Sequence, residues 1–422
     1  MLEKPKLFAT LKQFWLSMIF LSSILLIHLF YLYGEYQEFK EKPFFYTDVD
    51  VLNVYEKWKN DNFYTVIKVY SPILNISFFS KTKIRANEIT PHLRLKIFPN
   101  NNMNFSEYLG VSFINSNVNE VYIDSSFKSK IVNWLREEHE NSIIANFYSA
   151  IYIAEPLDKK LRNKVSMLGI SHLIALSGFH LAILSTILYF LITPFYKIFQ
   201  QRYFPYRFSL VDIGLVVLVI LALYLWFVGS PASLLRSYMM MLMGWIFLIL
   251  GIELITLSFL TTITLLLLAI FPKLTLSLAF WFSIIGVLYI FLILHYFKEL
   301  NKYLITVVIS FAIFALMLPI VHTTFSITAP LQLYSPLLSL AFIIFYPISI
   351  ALHLLGAGDC FDFILEKLFS LESNQLDILI SYWLGGSYLI LSIVSFFYSR
   401  LFYLMLFISG SFFIWLFIGF LI

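Results

Sequence analysis

Long apolar runs constrain this chain more than any other feature. The first, from about Leu11 to Tyr33, is followed by others near residues 167–193, 210–228, 231–250, 254–271, 275–296, 303–321, 328–355, 379–398 and 401–422. A run of about 18 or more apolar residues with few charges reads as a transmembrane helix. The chain is 60% hydrophobic and 13% charged, against about 25% charged in soluble domains. This predicts a polytopic α-helical membrane protein with about ten transmembrane helices and excludes a soluble enzyme. The first run is too long for a signal h-region and lacks a small-residue cleavage site. The net charge of +4 by itself calls for no nucleic-acid partner, and Cys360 is the only cysteine, so no intramolecular disulfide can form.

Four segments follow. Residues 1–33 form an N-terminal transmembrane helix flanked by Lys4, Lys6 and Lys12, which places the N-terminus inside. Residues 34–130 are polar and alternate with period two in Tyr64–Val69, Leu93–Ile97 and Val118–Ile123, predicting a small β-domain outside the membrane. Residues 131–166 are amphipathic and helical, suited to the membrane surface. Residues 167–422 are the membrane region. Its loops with Lys197, Arg202 and Arg207 and with Lys298 and Lys302 fall on the cytoplasmic side, while Lys273 and Arg400 fall outside. The segment 356–377 sets Asp359, Asp362, Glu366 and Asp377 against Phe361, Phe363, Leu365, Leu368 and Phe369, the pattern of an interfacial helix.

Ionisable groups inside membrane spans are functional candidates by default. Gly169, His172, Ser177 and His180 share an arc of about 140° if residues 169–180 form one helix. Such a small, polar face either packs against another helix or lines a wet path. Two His eight residues apart, with no nearby carboxylate or Cys, do not make a metal site. A second arc of about 120° carries Gly229, Ser230, Ser233, Arg236, Ser237 and Gly244, with Pro231 suited to a first turn. Arg236 either snorkels to the headgroups or faces a cavity, where it could hold a phosphate or carboxylate. Pro319, His322, Pro330, Pro336 and Pro347 interrupt later spans; broken helices line cavities, and prolines also simply kink. In the β-domain, Lys81, Lys83 and Arg85 alternate on one expected strand face, followed by Arg94 and Lys96. They read either as a solvated strand face or as a single-strand-binding platform beside Phe78 and Phe79.

His172-Leu173-Ile174-Ala175-Leu176-Ser177-Gly178-Phe179-His180 resembles the "HLLAISGLH" signature of the ComEC family of competence DNA-uptake channels. The approach from Glu155-Pro156-Leu157-Asp158 to Gly169-Ile170-Ser171 is similar to that family's. Ser230-Pro231-Ala232-Ser233-Leu234-Leu235-Arg236 resembles its "SVLRA" helix, with Ser237 in place of Ala. Phe271-Pro272 through Phe280 and Phe282 resembles a "P…FQLSF" segment without its Gln. Order and spacing hold across roughly residues 145–350. The resemblance implies an OB-like outer domain and a channel passing single-stranded DNA across the cytoplasmic membrane during natural transformation. It implies a DNA path past His172, Ser177, Gly178, His180, Ser233 and Arg236, and capture by Lys81, Lys83, Arg85, Arg94 and Lys96. It also implies DNA-capture and ATP-driven cytoplasmic competence proteins as partners, and a possible homo-oligomer. No His-x-His-x-Asp-His cluster is present, so the metallo-β-lactamase-like domain of longer relatives is not expected, nor any enzymatic activity, cofactor or metal; a separate nuclease is. Two other classes stay open. Ala175-Leu176-Ser177-Gly178 resembles the Gly-x-Ser-Gly of rhomboid proteases, which would make Ser177 with a His an intramembrane hydrolase. The kinked late helices suit a small-solute transporter, though no paired repeat is visible.

Overall fold

The computed structural model describes residues 5–59, 62–85, 88–122, 127–253 and 255–420. Lys4 and Ile123 lie outside them. The described residues divide into two compact units, 15–135 with 265–278, and 1–14 with 136–264 and 279–422.

The first unit begins with helix α1 (Leu11–Glu41) and continues as strands β1 (Phe45–Lys59), β2 (Asn62–Ser71), β3 (Ile76–Thr82) and β4 (His92–Phe98), a one-turn helix α2 (Phe105–Leu109), and strands β5 (Val111–Phe113) and β6 (Asn115–Val121). Of the three alternating stretches read from the sequence, Tyr64–Val69 lies in β2, Leu93–Ile97 in β4, and the third lies in β6 as far as Val121. The sheet order is β5-β3-β2-β1-β4-β6. β5 and β6 are separated by Ile114 alone, yet β5 runs parallel to β3 and β6 antiparallel to β4. One bent segment therefore joins both edges and leaves neither open, which removes the aggregation hazard of a free strand edge. Ser80 and Ser116 hydroxyls meet at 2.7 Å where β3 and β6 approach. β1 serves two partners, β4 through Phe45–Asp50 and β2 beyond Asp50, with a register shift between Val51 and Asn53. Alternation turns Ile67, Val69, Phe78, Leu93, Leu95 and Ile97 inward, all fully buried with Tyr36 and Phe39 of α1. Lys83 and Arg85 follow the end of β3 at Thr82, so they do not continue the face that Lys81 occupies; the chain has already turned there.

The second unit is helical: α3 (Phe127–Glu137) ends at its boundary, then α4 (Ser142–Ile153), α5 (Lys159–Met167), α6 (Ser171–Ile174), α7 (Gly178–Tyr203), α8 (Ser209–Phe227) and α9 (Ala232–Ile249). Helix α10 (Leu257–Ile270) leads to α11 (Leu278–Tyr296) and α12 (Lys302–Val321); β7 (Ile327–Thr328), α13 (Ser335–Leu354), α14 (Asp362–Ser370), β8 (Leu376–Asp377), α15 (Tyr382–Val394) and α16 (Ser399–Ile418) complete the chain. Among the described residues, seven helices are long and apolar enough to cross a membrane: α1, α7, α8, α11, α12, α13 with the turn before it, and α16. The segments 233–249, 257–270 and 382–394 are apolar but shorter, so three of the expected spans fall below that length. Trp226 and Trp383 are 77% and 88% exposed, a placement suited to a lipid-facing surface and not to water.

The largest change from the sequence reading concerns residues 131–193. The expected single span 167–193 is three helices, α5, α6 and α7, broken at Gly169 and again at 175–177. Helix α4, expected on the membrane surface, is a core element. Its Ile144, Phe147, Tyr148 and Ile151 pack with Leu161 and Val165 of α5, Leu173 and Ile174 of α6, Phe342 and Tyr346 of α13, and Leu365 and Phe369 of α14. The amphipathic segment after α13 thus packs Leu365 and Phe369 on protein, with Phe361 and Leu368 against them, while Phe363 stays exposed.

Leu95→Ala removes a fully buried side chain from the β-domain and should cost about 2–5 kcal/mol. Proteolysis of the membrane-inserted chain under increasing denaturant should show the domain opening earlier. Asn117→Ala, on the exposed face of β6, should shift it by less than about 0.5 kcal/mol.

Candidate functional site: an interrupted helix and its partners

Breaking a helix frees backbone donors and acceptors that must find partners in an apolar setting. The partners here come from two other helices. Gly169 has φ +67°, a left-handed conformation that a side chain resists. A Cβ there would also lie 3.2–3.4 Å from Gln332 and Ser335. The Ser335 hydroxyl donates to Gly169 O at 3.0 Å, and the Gln332 amide donates to Ser166 O at 3.3 Å and Ile327 O at 3.0 Å.

The second break is made by Ser177 and His180. Ser177 is the N-cap of α7; its hydroxyl accepts from the Phe179 N–H at 3.3 Å, and the Ser177 N–H donates to His180 Nδ1 at 3.3 Å. This is a capping box with His in the place usually held by Glu or Gln. The orphaned carbonyl of Leu176 accepts from the Ser233 hydroxyl of α9 at 2.7 Å. Ser237 donates to Ser233 O at 2.9 Å, and a Cβ on Gly178 would meet Ser237 at 3.1–3.2 Å. Gly178 is therefore small because α9 lies against it.

His172, Ser177 and His180 do not share the helical arc expected from the sequence, because no single helix joins them. Both histidines instead meet α13: His172 Nε2 pairs with the Ser339 hydroxyl at 3.2 Å, and the fully buried His180 ring is edge-on to Phe342 and Tyr346 at 5.2 and 4.9 Å. His180 Nε2 is buried without a hydrogen-bond partner among the described residues. The arc on α9 does exist for Ser233, Arg236, Ser237 and Gly244. Gly229 and Ser230 lie off it, in left-handed backbone before the helix starts. Arg236 is 3% exposed, which rules out snorkelling in this structure, and one of its terminal nitrogens donates to Ala279 O at 2.7 Å. Its Nε is buried without a partner among the described residues.

Sequence reasoning placed a span at 328–355 but missed the stripe that α13 carries. Its residues Ser335, Ser339, Phe342, Tyr346, Ser349 and His353 recur every three or four positions, so they form one stripe. Each touches a different part of the interrupted segment or of α4. The spacing is present in the sequence, but Pro336 and Pro347 within the same stretch point to kinking instead. Beside the stripe lies a cavity of about 240 Å³ lined by residues such as Leu184, Ile187, Leu221 and Ile350. Its walls are apolar, apart from the tyrosines 152, 224 and 346, and do not suit a charged ligand.

On the β-domain, Lys81, Arg94 and Lys96 share the face opposite the core. Lys96 lies 4.0 Å from the Phe44 ring centre, 5.4 Å from Tyr46 and 5.5 Å from Phe98. Lys81 lies 5.4 Å from Tyr64 and 5.3 Å from Phe113. Lys68, not singled out from the sequence, joins them over Phe79, its cross-strand partner. Arg94 differs: Asp48 and Glu120 flank it at 4.0 and 3.9 Å, and its hydrogen bond with Tyr122 holds its pKa above the usual value. Its charge is largely answered within the sheet.

A helical membrane protein whose bundle is built around an interrupted, multiply capped helix is the class these features define. Residues 154–421 match the family described as Competence protein, well over half of the 422 residues, and the chain belongs to that family. No curated protein and no solved structure matches it.

Ser177→Ala should lower stability by about 0.5–2 kcal/mol through loss of the cap. Ser177→Asp, which can accept the same N–H, should recover most of it. Thermal unfolding of the purified protein in nanodiscs checks both, and an unchanged Ser177→Ala midpoint would remove the capping role.

Proposed function

We propose that this chain is a multi-pass channel of the cytoplasmic membrane that passes single-stranded DNA inward during natural transformation. The family match across 154–421 carries the reading, since that stretch contains both breaks and their partners on α9 and α13. Non-helical backbone is tolerated in a membrane where it is buried in protein or borders a wet cavity. An anionic strand needs donors along its way, and Arg236, with His172, His180, Ser177, Gly178 and Ser233 around the second break, supplies the polar part of this apolar unit. The basic flank of α1 supports an N-terminus inside and a β-domain outside.

The β-domain is read as OB-like from the way β5 and β6 close the sheet between β3 and β4. Lysines interleaved with aromatic rings suit a single strand, whose bases stack while its phosphates meet cations. On this reading Lys68, Lys81 and Lys96 bind the strand, with Arg94, Lys83 and Arg85 at the margin. The chain itself performs no hydrolysis. A separate nuclease removes the other strand, capture proteins deliver DNA, and ATP-driven cytoplasmic proteins or a homo-oligomeric assembly complete the machinery.

The hydrolase reading is favoured by one contact, Ser177 Oγ to His180 Nδ1 at 3.4 Å. It lacks the third group that orients a catalytic base, because His180 Nε2 meets no acceptor among the described residues. Labelling of Ser177 by a fluorophosphonate would reinstate it.

Two outcomes are expected. Arg236→Ala should cut the entry of labelled DNA into the cytoplasm by roughly tenfold or more, the equivalent of a charged hydrogen bond of about 1.5–3 kcal/mol, while surface capture stays intact. Normal transformation in cells lacking the chain would overturn the channel reading. Lys81→Ala with Lys96→Ala should lower the salt slope of single-strand binding by about 1.4, or about 0.7 for each phosphate no longer neutralised.

A further inference from the structure

A cluster of titratable groups stands apart from the interrupted helix, at the other end of α13. His139, in the segment between α3 and α4, is 5% exposed and stacks on Tyr148 with ring centres 4.6 Å apart. Its Nδ1 meets Asp362 Oδ2 at 2.9 Å, and its Nε2 meets His353 Nε2 at 3.1 Å. His353 Nδ1 lies 2.6 Å from Ser349 O. Tyr152 closes the end of the chain, donating to the Ser349 hydroxyl at 2.7 Å. His139 precedes the family-matched region, whereas His353 and Asp362 lie within it.

These hydrogen bonds fix the number of protons. A carbonyl only accepts, so His353 Nδ1 carries a hydrogen. A neutral His353 then presents a lone pair at Nε2, and His139 Nε2 must donate to it. His139 Nδ1 still faces a carboxyl. That last pairing needs a hydrogen as well, on His139 Nδ1 or on Asp362 Oδ2. In either placement the three side chains hold one proton more than two neutral imidazoles and a carboxylate, and their summed charge is zero. Without that proton a lone pair of His139 faces a carboxylate, or two Nε2 lone pairs face each other at 3.1 Å.

We propose that Asp362, His139 and His353 form a one-proton latch: a single shared proton ties the segment before α4 to the end of α13 and the start of α14, and its release as pH rises opens the tie. The surroundings favour retention of the proton. Glu138 and, on the neighbouring turn and helix, Asp359 and Glu366 face the pair, with Tyr148 and Tyr152 of α4 and Cys360 close by. Burial pushes the Asp362 carboxyl up, against the pull of His139, and Asp359 and Glu366 add to the rise. Burial likewise raises Glu138, whose Oε2 is buried without a partner among the described residues. Converging imidazoles also suit a divalent cation, but no group of three such side chains is arranged to hold a metal ion among the described residues.

The sign of the pH dependence follows from proton counts. In the unfolded chain His titrates near about 6.5 and Asp near about 3.9. Between those values the unfolded chain binds two protons at these residues and the latch one, so stability rises with pH. Above about 6.5 the unfolded chain binds none and the latch keeps its one. Stability is then lost as pH rises toward the latch's own value, by about tenfold in the unfolding constant per pH unit. The result is a maximum near about pH 6.5 with one-proton limbs.

The test uses the full chain in nanodiscs, with a nitroxide on Cys360, the only cysteine and an exposed one two residues from Asp362. The nitroxide of the wild type should become mobile as pH rises from 6 to 9, over a one-proton transition. Asp362→Asn supplies an amide N–H to His139 Nδ1 without needing a proton, so its spectrum should stay immobile to pH 9 and its high-pH stability limb should flatten. His139→Gln should be mobile throughout, provided its far-ultraviolet spectrum matches the wild type. A pH-independent wild type, or an Asp362→Asn chain with the wild-type transition, would overturn the latch. So would immobilisation that requires Zn²⁺ and is lost with a chelator, which would put a metal where the proton is placed.

Discussion

The interrupted helix between Gly169 and Gly178 sets the terms for the rest of the helical unit. An intact helix satisfies its own backbone and makes few demands on its neighbours. Two breaks within ten residues expose carbonyls and amides that an apolar environment penalises by several kcal/mol each. Side chains from near and far along the chain answer several of them. Ser177 and His180 cap the restarting helix, Ser233 takes the Leu176 carbonyl, and Ser335 and Gln332 hold the bend at Gly169. Two separated sequence motifs, the one at 172–180 and the one at 230–236, are thus a single physical object: a broken helix and the hydroxyl that completes it.

Helix α13 extends the same logic over five turns. Its stripe begins at the first break, runs past both histidines of the motif and ends at His353. Pro347 lies within it and removes the hydrogen bond that would join its turn to Ile343. The helix therefore has a soft point between Tyr346, which packs on His180, and Ser349, which receives His353. A change at one end can be absorbed there or passed along, depending on how tightly the tyrosines of α4 grip the turn. Tyr152 and Tyr148 do grip it, through the Ser349 hydroxyl and through the edge-on contact of Tyr148 with His353.

The sequence made the apolar runs and the strands legible because both signals are periodic and local. Helix breaks are not periodic. A glycine and a serine inside an apolar run look like packing residues, and only the partners on α9 and α13 reveal that they are caps. Helical-wheel reasoning over 169–180 failed for that reason, while over 229–244 it held from Ser233 on, where α9 is continuous, and failed for Gly229 and Ser230 before the helix starts. Lys83 and Arg85 failed similarly, since alternation outlasted the strand that produced it. Lys68 was overlooked because its significance depends on Phe79 across the ladder, and pairing register is a long-range property. The His139–His353–Asp362 cluster joins residues more than 200 positions apart, and no local pattern marks it.

Arg236 bears most directly on the nature of the cargo. A guanidinium has five N–H donors, and a buried one is costly to keep unless they are engaged. Here one terminal nitrogen holds a main-chain carbonyl, and Nε has no partner among the described residues. A purely structural role would be better served by a neutral donor of similar reach. On the proposed reading, the unspent donors serve a phosphate that is present only while a strand passes. The carbonyl of Ala279 then keeps the side chain aimed between passages. A site that bound its anion permanently would need more cations than one. A site that must let go needs about what is found here: a single charge, serine hydroxyls and backbone freed by a break.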